Sequence, residues 1–336
     1  MKITILGAGT WGVALAALLV KNGNEVCVWS PIEEEIRELS RTNAQRNLPG
    51  VTLPDGIKYT TDIKSAALGG EMVLFVVPSQ FIRATARAVA PYVENGAIVA
   101  SASKGIEYDT LMTMTEVVED VFKSKAPCLD YSLAALSGPT HAEEVAAGLP
   151  TSIVAASENE EVAMRIAGIF ANSNLRVYTN TDVLGVEICG AVKNVIAIAA
   201  GINRGMGFGD NSGAMLMTRG MVEITRLGLA MGCNSRTFMG LAGIGDLIVT
   251  CTSRHSRNNR CGELIGKGKT YTEAQSEIGM VVEGYHALGA TVKLAEKYRV
   301  ELPITEAVYS IIMNGEAPKD AMLRLMSRDI KSELQR

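Results

Sequence analysis

The tightest constraint on the fold sits near the amino end, where ILGAGTWGVALA (residues 5–16) sets Gly7, Gly9 and Gly12 between an apolar run and an alanine- and leucine-rich one. Lys2 to Leu6 is short, β-branched and apolar, the pattern of a buried strand. Val13 to Val20 suits a helix, and Asn22-Gly23-Asn24 stops it. Glu25 to Trp29, EVCVW, reads as a second strand. In a strand-turn-helix-strand unit the G-x-G-x-x-G spacing has a mechanical cause. Gly7 permits the tight turn, Gly9 lets a pyrophosphate approach the backbone, and Gly12 lets helix and strand pack closely. The free N–H groups of the first helical turn face the anion, and the helix dipole adds to the attraction. A glycine turn without a ligand is the alternative, and the flanking strand and helix weigh against it.

The end of the second strand usually distinguishes the two nicotinamide dinucleotides. A carboxylate there binds the adenosine ribose hydroxyls, and a basic residue accepts a 2′-phosphate. Trp29-Ser30-Pro31-Ile32 is followed by Glu33-Glu34-Glu35, with neither a clear acid at the strand tip nor an arginine. The acidic run suits the start of the next helix, where carboxylates meet the dipole. NADH and NADPH both stay open on these residues.

Further strands are expected at Glu71–Pro78, Ala97–Ala102, Leu133–Leu136 and Thr151–Ala156. Helices are expected between them, at Glu33–Arg41, Ile82–Tyr92, Leu111–Phe122 and Glu160–Phe170. This alternation argues an α/β, doubly wound parallel sheet of Rossmann type, with ligands outside the carboxyl ends of the strands. Ser79, Lys104 and the 138–142 turn all follow strand ends, so they should gather near the glycine turn. Lys104 reads equally as an exposed loop lysine or as a cation beside the cofactor.

From Asp182 onward the strand signals fade. Leu184 to Ile202 reads as one long helix, apolar on most sides and therefore buried, with Lys193 and Asn194 in its middle. A lysine there is costly unless paired or functional. It either snorkels to the surface or serves as a general base with a pKa lowered by desolvation, the reading favoured here. GLAGIGDLIVTCTSRHSRNNRCGE (240–263) carries Asp246, a candidate partner for Lys193, and then packs arginines among hydroxyl and amide donors, a grouping suited to a phosphate or carboxylate. His255 is a weaker acid/base candidate than Lys193, His141 could lie near the cleft, and His286 reads as structural. The boundary falls near residues 182–192, giving 1–188 as a cofactor domain and 189–336 as an all-α substrate domain.

Composition narrows the class. The 336 residues are 47% apolar and 20% charged with a net charge of -4, a globular balance without the basic surface that nucleic acid requires. The six cysteines form no CxxC pair and the three histidines are scattered, so no metal is expected and reduced thiols in a cytoplasmic protein are. The first twenty residues could be read as a secretory signal, but glycines interrupt the apolar region and no small-x-small cleavage site follows. No stretch has the continuous apolar length of a membrane span.

GAGTWGVALA (7–16), SASKGIE (101–107), LSGPTHAEEVAAGLPT (136–151), AVKNVIAIAAGI (191–202), GLAGIGDLIVTCTSRHSRNNRCG (240–262) and VVEG (281–284) together resemble the bacterial type of NAD(P)-dependent glycerol-3-phosphate dehydrogenase. The resemblance implies an N-terminal Rossmann domain and a helical C-terminal domain. It implies interconversion of sn-glycerol 3-phosphate and dihydroxyacetone phosphate with NADH or NADPH, feeding phospholipid synthesis. Residue by residue, it implies Lys193 as the proton-transfer group, with Lys104 and Asp246 beside it. Gly7, Gly9, Thr10, Trp11, Gly12, Lys104, Ala142, Arg257, Val281 and Glu283 would contact the cofactor. Lys104, Gly138, Thr140, Lys193, Asn194, Asp246, Ser256, Arg257 and Asn258 would contact the phosphorylated substrate. A homodimer is left open. The chain departs from the family where Pro31-Ile32 stands in place of a basic residue and where Asn47, not an aromatic, precedes Leu48-Pro49.

Overall fold

The computed structural model describes residues 1–330, 332 and 333, so the carboxyl end of the expected 189–336 division lies outside the described residues. One sheet is built from β1 (Lys2–Leu6), β2 (Glu25–Trp29), β3 (Ile57–Thr60), β4 (Met72–Phe75), β5 (Ala97–Ser101), β6 (Tyr131–Ser137), β7 (Thr151–Ala156) and β8 (Leu175–Asn180). Their order is β3-β2-β1-β4-β5-β6-β7-β8. β1 and β4 run parallel, and the reversal of strand order between them opens the crevice where such sheets bind dinucleotides. The intervening helices are α1 (Thr10–Lys21), α2 (Glu33–Thr42), α3 (Ile63–Ala67), α4 (Ile82–Val89), α5 (Met114–Lys125), α6 (Ala142–Ala146) and α7 (Glu160–Phe170).

Four features depart from the sequence expectation. β6 and β7 pair antiparallel, with Leu136 opposite Ala155, so the sheet is mostly rather than wholly parallel. Their connection holds only the five-residue α6, and the chain turns back instead of crossing over. β3 (IKYT) and β8 (LRVYTN) were not expected from sequence. Both are edge strands, half-solvated, and carry too little apolar alternation to be read. α5 starts at Met114 rather than Leu111, because Leu111 takes a left-handed conformation (φ 61°). Thr113 and Glu116 then form a reciprocal cap at the helix start. α4 stops at Val89 ahead of Pro91, and Ala90–Tyr92 tighten into a 3₁₀ turn.

Beyond β8 every element among the described residues is helical: α8 (Val183–Gly205), α9 (Asp210–Ala230), α10 (Ser235–Phe238), α11 (Asp246–Thr252), α12 (Arg257–Gly266), α13 (Tyr271–Ile278), α14 (Glu283–Tyr298), α15 (Pro303–Asn314) and α16 (Pro318–Met326). α8 is the axis of this half, buried along its length from Gly185 to Ile202, and unbroken across residue 188. It alone among the described residues has the length and apolarity of a membrane span, yet 89% of its most apolar window is buried inside the protein, as in a core helix.

Two facing helices approach α8 almost backbone to backbone. A methyl group on Gly201 would lie 2.0 Å from the Asn259 carbonyl oxygen, and one on Gly262 would lie 2.0 Å from that of Ile198. α8 and α12 therefore have no room for side chains at their crossing. Gly262→Ala should lower the unfolding free energy by about 2 kcal/mol or more, since overpacking a filled core typically costs ~1–3 kcal/mol. Gly168→Ala on α7, which faces open space, should be neutral or slightly stabilising. Denaturant midpoints read the comparison, and an unaltered Gly262→Ala midpoint would refute the close packing.

Candidate active site

The glycine turn is built as the spacing requires. Gly7 has φ 126° and donates its N–H to the Trp29 carbonyl at 2.8 Å, which sets the turn beside the end of β2. A methyl group on Gly7 would sit 2.8 Å from the Val76 backbone, and one on Gly12 would sit 2.0 Å from the Gly7 carbonyl oxygen. The space in front of Gly9 is open. α1 begins at Thr10, whose hydroxyl is buried without a partner among the described residues. An unsatisfied hydroxyl, free helix N–H groups and a clear approach at Gly9 fit a dinucleotide pyrophosphate. Trp11 packs against the cluster of Ala14, Leu48, Ala142 and Ala146, which sets Ala142 beside this turn.

Lys104, Gly138, Lys193 and Asp246 converge at the ends of β5 and β6. Lys193, 5% exposed, donates to Asp246 Oδ1 and, at 2.6 Å, to the Thr250 hydroxyl. Lys104 donates to Asp246 Oδ2 at 2.7 Å and to the Gly138 carbonyl at 3.1 Å. Thr140 donates to the same Gly138 carbonyl, also at 3.1 Å. Asp246 arrives here because a π turn over Leu241–Gly245 feeds directly into α11, whose first residue it is. Burial pushes the Lys193 amine down to about 8, against the pull of Asp246, and the Lys104 charge adds to the lowering. Burial alone would raise the Asp246 carboxyl; its two ammonium neighbours outweigh that and hold it below its usual range. Thr250 escaped sequence reading, although its place one helical turn after Asp246 on α11 puts the two on one face.

The polar cluster of α12 lies against the same stretch of α8. Asn258 donates to the Asn194 side-chain oxygen at 2.9 Å and accepts from the Gly284 N–H at 2.9 Å, tying α12, α8 and α14 together. Asn194 also donates to the Gly190 carbonyl one turn back. Arg257 donates to the Val281 carbonyl at 3.1 Å, and Ser256 caps α12 by accepting the Asn259 N–H at 3.2 Å. Glu283, which the resemblance puts among the cofactor contacts, is engaged within the protein. Its buried carboxylate accepts the Ser79 hydroxyl at 2.6 Å and the Ser79 N–H at 3.2 Å, joining α14 to the loop after β4. Burial raises its carboxyl above the usual range, with those two donors opposing. Gly105 leaves room for this contact, since a methyl group there would lie 2.3 Å from Ser79 Cβ. Ser79, expected near the crevice because it follows a strand end, thus has in Glu283 a partner that the sequence did not indicate, and Gly105 supplies the room. His141 and His255 come within 5.8 Å ring to ring, and burial lowers the His141 imidazole first of all, the Lys193 charge adding to it.

Two family models match the chain: the NAD-dependent glycerol-3-phosphate dehydrogenase N-terminus over residues 2–163 and its C-terminus over 182–323. A curated protein of Lactobacillus delbrueckii subsp. bulgaricus, glycerol-3-phosphate dehydrogenase [NAD(P)+] 2, is 52% identical over 333 residues, covering 99% of each chain. The Bacillus subtilis glycerol-3-phosphate dehydrogenase [NAD(P)+] is 45% identical over 335 residues, covering 99% of this chain and 96% of the other. The crystal structure of glycerol-3-phosphate dehydrogenase from Coxiella burnetii superposes with a TM-score of 0.91 at 35% identity, covering 97% and 99% of the two chains.

Asp246→Asn strips both ammonium groups of their counter-charge. Folding should lose about 3–5 kcal/mol at neutral pH, the usual consequence of breaking a buried pair. The folded Lys193 already titrates near 8, below its ordinary 10.5. Removing Asp246 lowers it further, so the unfolded state binds more protons and stability rises with pH. The destabilisation should therefore shrink between mildly acidic and alkaline buffer. Denaturant titrations at the two pH values check this, and a deficit that does not change with pH would contradict the pairing.

Proposed function

The chain belongs to the NAD-dependent glycerol-3-phosphate dehydrogenase family, and from that premise we propose how its own residues carry the reaction. It is an oxidoreductase that interconverts sn-glycerol 3-phosphate and dihydroxyacetone phosphate with NADH or NADPH. In this reading it supplies glycerol 3-phosphate for phospholipid synthesis. The observation that carries the mechanism is the desolvated Lys193 amine, pinned on Asp246 at the strand-end crevice that also holds the glycine turn.

When bound, the nicotinamide supplies the hydride acceptor or donor at the substrate C2. Gly7, Gly9, Thr10, Trp11, Gly12 and Ala142 hold the dinucleotide, its pyrophosphate on the amino end of α1. Lys193 takes the C2 hydroxyl proton in the oxidative direction and returns one in reduction. Asp246 and Thr250 fix that amine, and Lys104 both lowers its pKa and stands ready to polarise the C2 oxygen. Arg257 takes the substrate phosphate, with Asn258, Ser256 and Asn194 shaping its seat, and with Gly138 and Thr140 on the facing strand end. Such positioning can supply ~7–11 kcal/mol of a barrier in favourable cases. Glu283 and Val281 act on the cofactor end through Ser79 and Arg257, their hydrogen-bond partners.

Functionally the chain divides into residues 1–188 for the cofactor and 189–336 for the substrate, with α8 bridging the two. Location in the cytoplasm belongs to the same reading and is supported by the six cysteines, all free. A homodimer is the assembly to test by sedimentation velocity.

Lys193→Ala should cut turnover by about 10²–10⁴ while leaving cofactor affinity intact; near-normal turnover would end the assignment. Arg257→Ala should mainly raise KM for dihydroxyacetone phosphate, since the lost pair orients a dianion, and an unchanged KM would remove the phosphate seat. Because Lys193 titrates near 8, kcat/KM for glycerol 3-phosphate oxidation should rise through that pH, whereas reduction should fall above it. Profiles of the same sign in both directions would rule out Lys193 as the proton-transfer group.

A further inference from the structure

The loop after β2 does more than lack a cation. Gly7 donates its N–H to the Trp29 carbonyl, so Ser30 begins the loop immediately beside the pyrophosphate turn. A dinucleotide lying on the amino end of α1 must set its adenosine ribose against this loop. Ser30 is 3% exposed and uses its hydroxyl twice: it donates to Glu35 Oε2 at 2.7 Å and accepts the Ile32 N–H at 3.3 Å. Glu35 is thereby folded back over the strand end, half-buried, instead of pointing along the helix into water. Its other oxygen, Oε1, has no partner among the described residues. From Glu25 to Ile36 there is no lysine or arginine, and Glu33 and Glu34 add two further carboxylates at the start of α2.

We propose that this chain selects NADH over NADPH, and that Glu35, held over the end of β2 by Ser30, makes the selection. The proposal rests on the dinucleotide reading above and deepens it. A ribose 2′-hydroxyl can donate to Oε1 of Glu35. A 2′-phosphate in that place carries nearly two negative charges and meets a partly desolvated carboxylate, with two more nearby. None of the neighbouring cations pairs with Glu35 among the described residues. Arg37, one turn along α2, reaches Glu34 at 3.9 Å with both side chains largely in water. Lys58 pairs at 2.7 Å with Glu25, at the opposite end of β2. Lys64 on α3 and Arg46 on the loop leading to Leu48 are exposed, and Arg46 is the rival seat for a 2′-phosphate, because Leu48 packs with Trp11.

Isothermal titration of the full-length protein with NADH and with NADPH, without substrate, tests this independently of turnover. NADH should bind more tightly by roughly tenfold or more. The gap should narrow as salt is raised, because part of it is repulsion between partly exposed charges. Glu35→Gln should weaken NADH, strengthen NADPH and close most of the gap, and Ile32→Arg should invert the preference. Arg37→Ala and Arg46→Ala should leave the ratio unchanged. Equal or tighter binding of NADPH by the unmodified protein would overturn the proposal. So would a ratio indifferent to both Glu35→Gln and Ile32→Arg, or a selective loss of NADPH binding in Arg46→Ala. Binding of neither dinucleotide would instead remove the underlying dinucleotide reading, and the proposal with it.

Discussion

One buried carboxylate fixes the relative placement of the two halves of this chain. Asp246 is 1% exposed and accepts hydrogen bonds from Lys104, which comes from the loop after β5, and from Lys193, which comes from the middle of α8. Charges so far from water are expensive, and a well-packed apolar substitute is commonly as stable or more so. Fold stability is therefore a poor reason for keeping three ionised groups here. Chemistry is a better one, because the same desolvation that costs stability brings the Lys193 amine into the range where it can both take and return a proton near neutrality. Without Asp246 the amine would stay neutral and unplaced; without burial it would stay protonated.

That arrangement depends in turn on helices that approach without intervening side chains. Gly201 and Gly262 let α8 and α12 cross at backbone contact, and Gly284 does the same for α14, where a methyl group would lie 2.6 Å from the Asn194 carbonyl oxygen. The consequence for the site is geometric. Asn258 can reach the Asn194 side chain on one neighbour and the Gly284 backbone on the other only if all three axes lie this close. Wider spacing would break both Asn258 contacts and move the start of α12, with Arg257, away from the Asn194 turn of α8. Packing at the crossing thus sets a distance on which orientation depends.

Much of this was legible in the chain. The glycine turn, the central strands β1, β2, β4 and β5, and the long buried helix all announce themselves because burial on every side forces continuous apolar runs. The Lys193–Asp246 pair was also legible, from a lysine stranded in an apolar helix, whereas Lys104 joined them only through the family resemblance. The edge strands β3 and β8 escaped because one exposed flank relaxes their composition. The antiparallel β7 escaped because a strand's direction leaves no trace in its own residues. The roles of Thr250 and Gly105, and the partner of Ser79, escaped for a different reason: each works through a neighbour remote in sequence. Thr250 steadies an amine on another helix, Ser79 meets a carboxylate 204 residues away, and Gly105 matters for a side chain it lacks.

Charge is distributed against the chain's own average. The protein as a whole is acidic, with a net charge of -4, yet the end of the crevice proposed for the substrate sets Lys104 and Lys193 on the carboxylate of Asp246, and Arg257 lies close enough to Glu283 to act on its carboxyl. A cleft walled by low-dielectric protein focuses such a field, and in the proposed reading it would draw a phosphorylated three-carbon substrate to this end. The opposite end, beside β2, carries Glu33, Glu34 and Glu35. A dinucleotide must span both ends. Its pyrophosphate is met by N–H groups at the amino end of α1, which need no formal charge to hold an anion. On the proposal made for Glu35, the adenosine end would then lie where additional negative charge is resisted. A crevice positive where phosphate must enter and negative where it must not can orient two anionic ligands by sign alone, before any shape-specific contact forms.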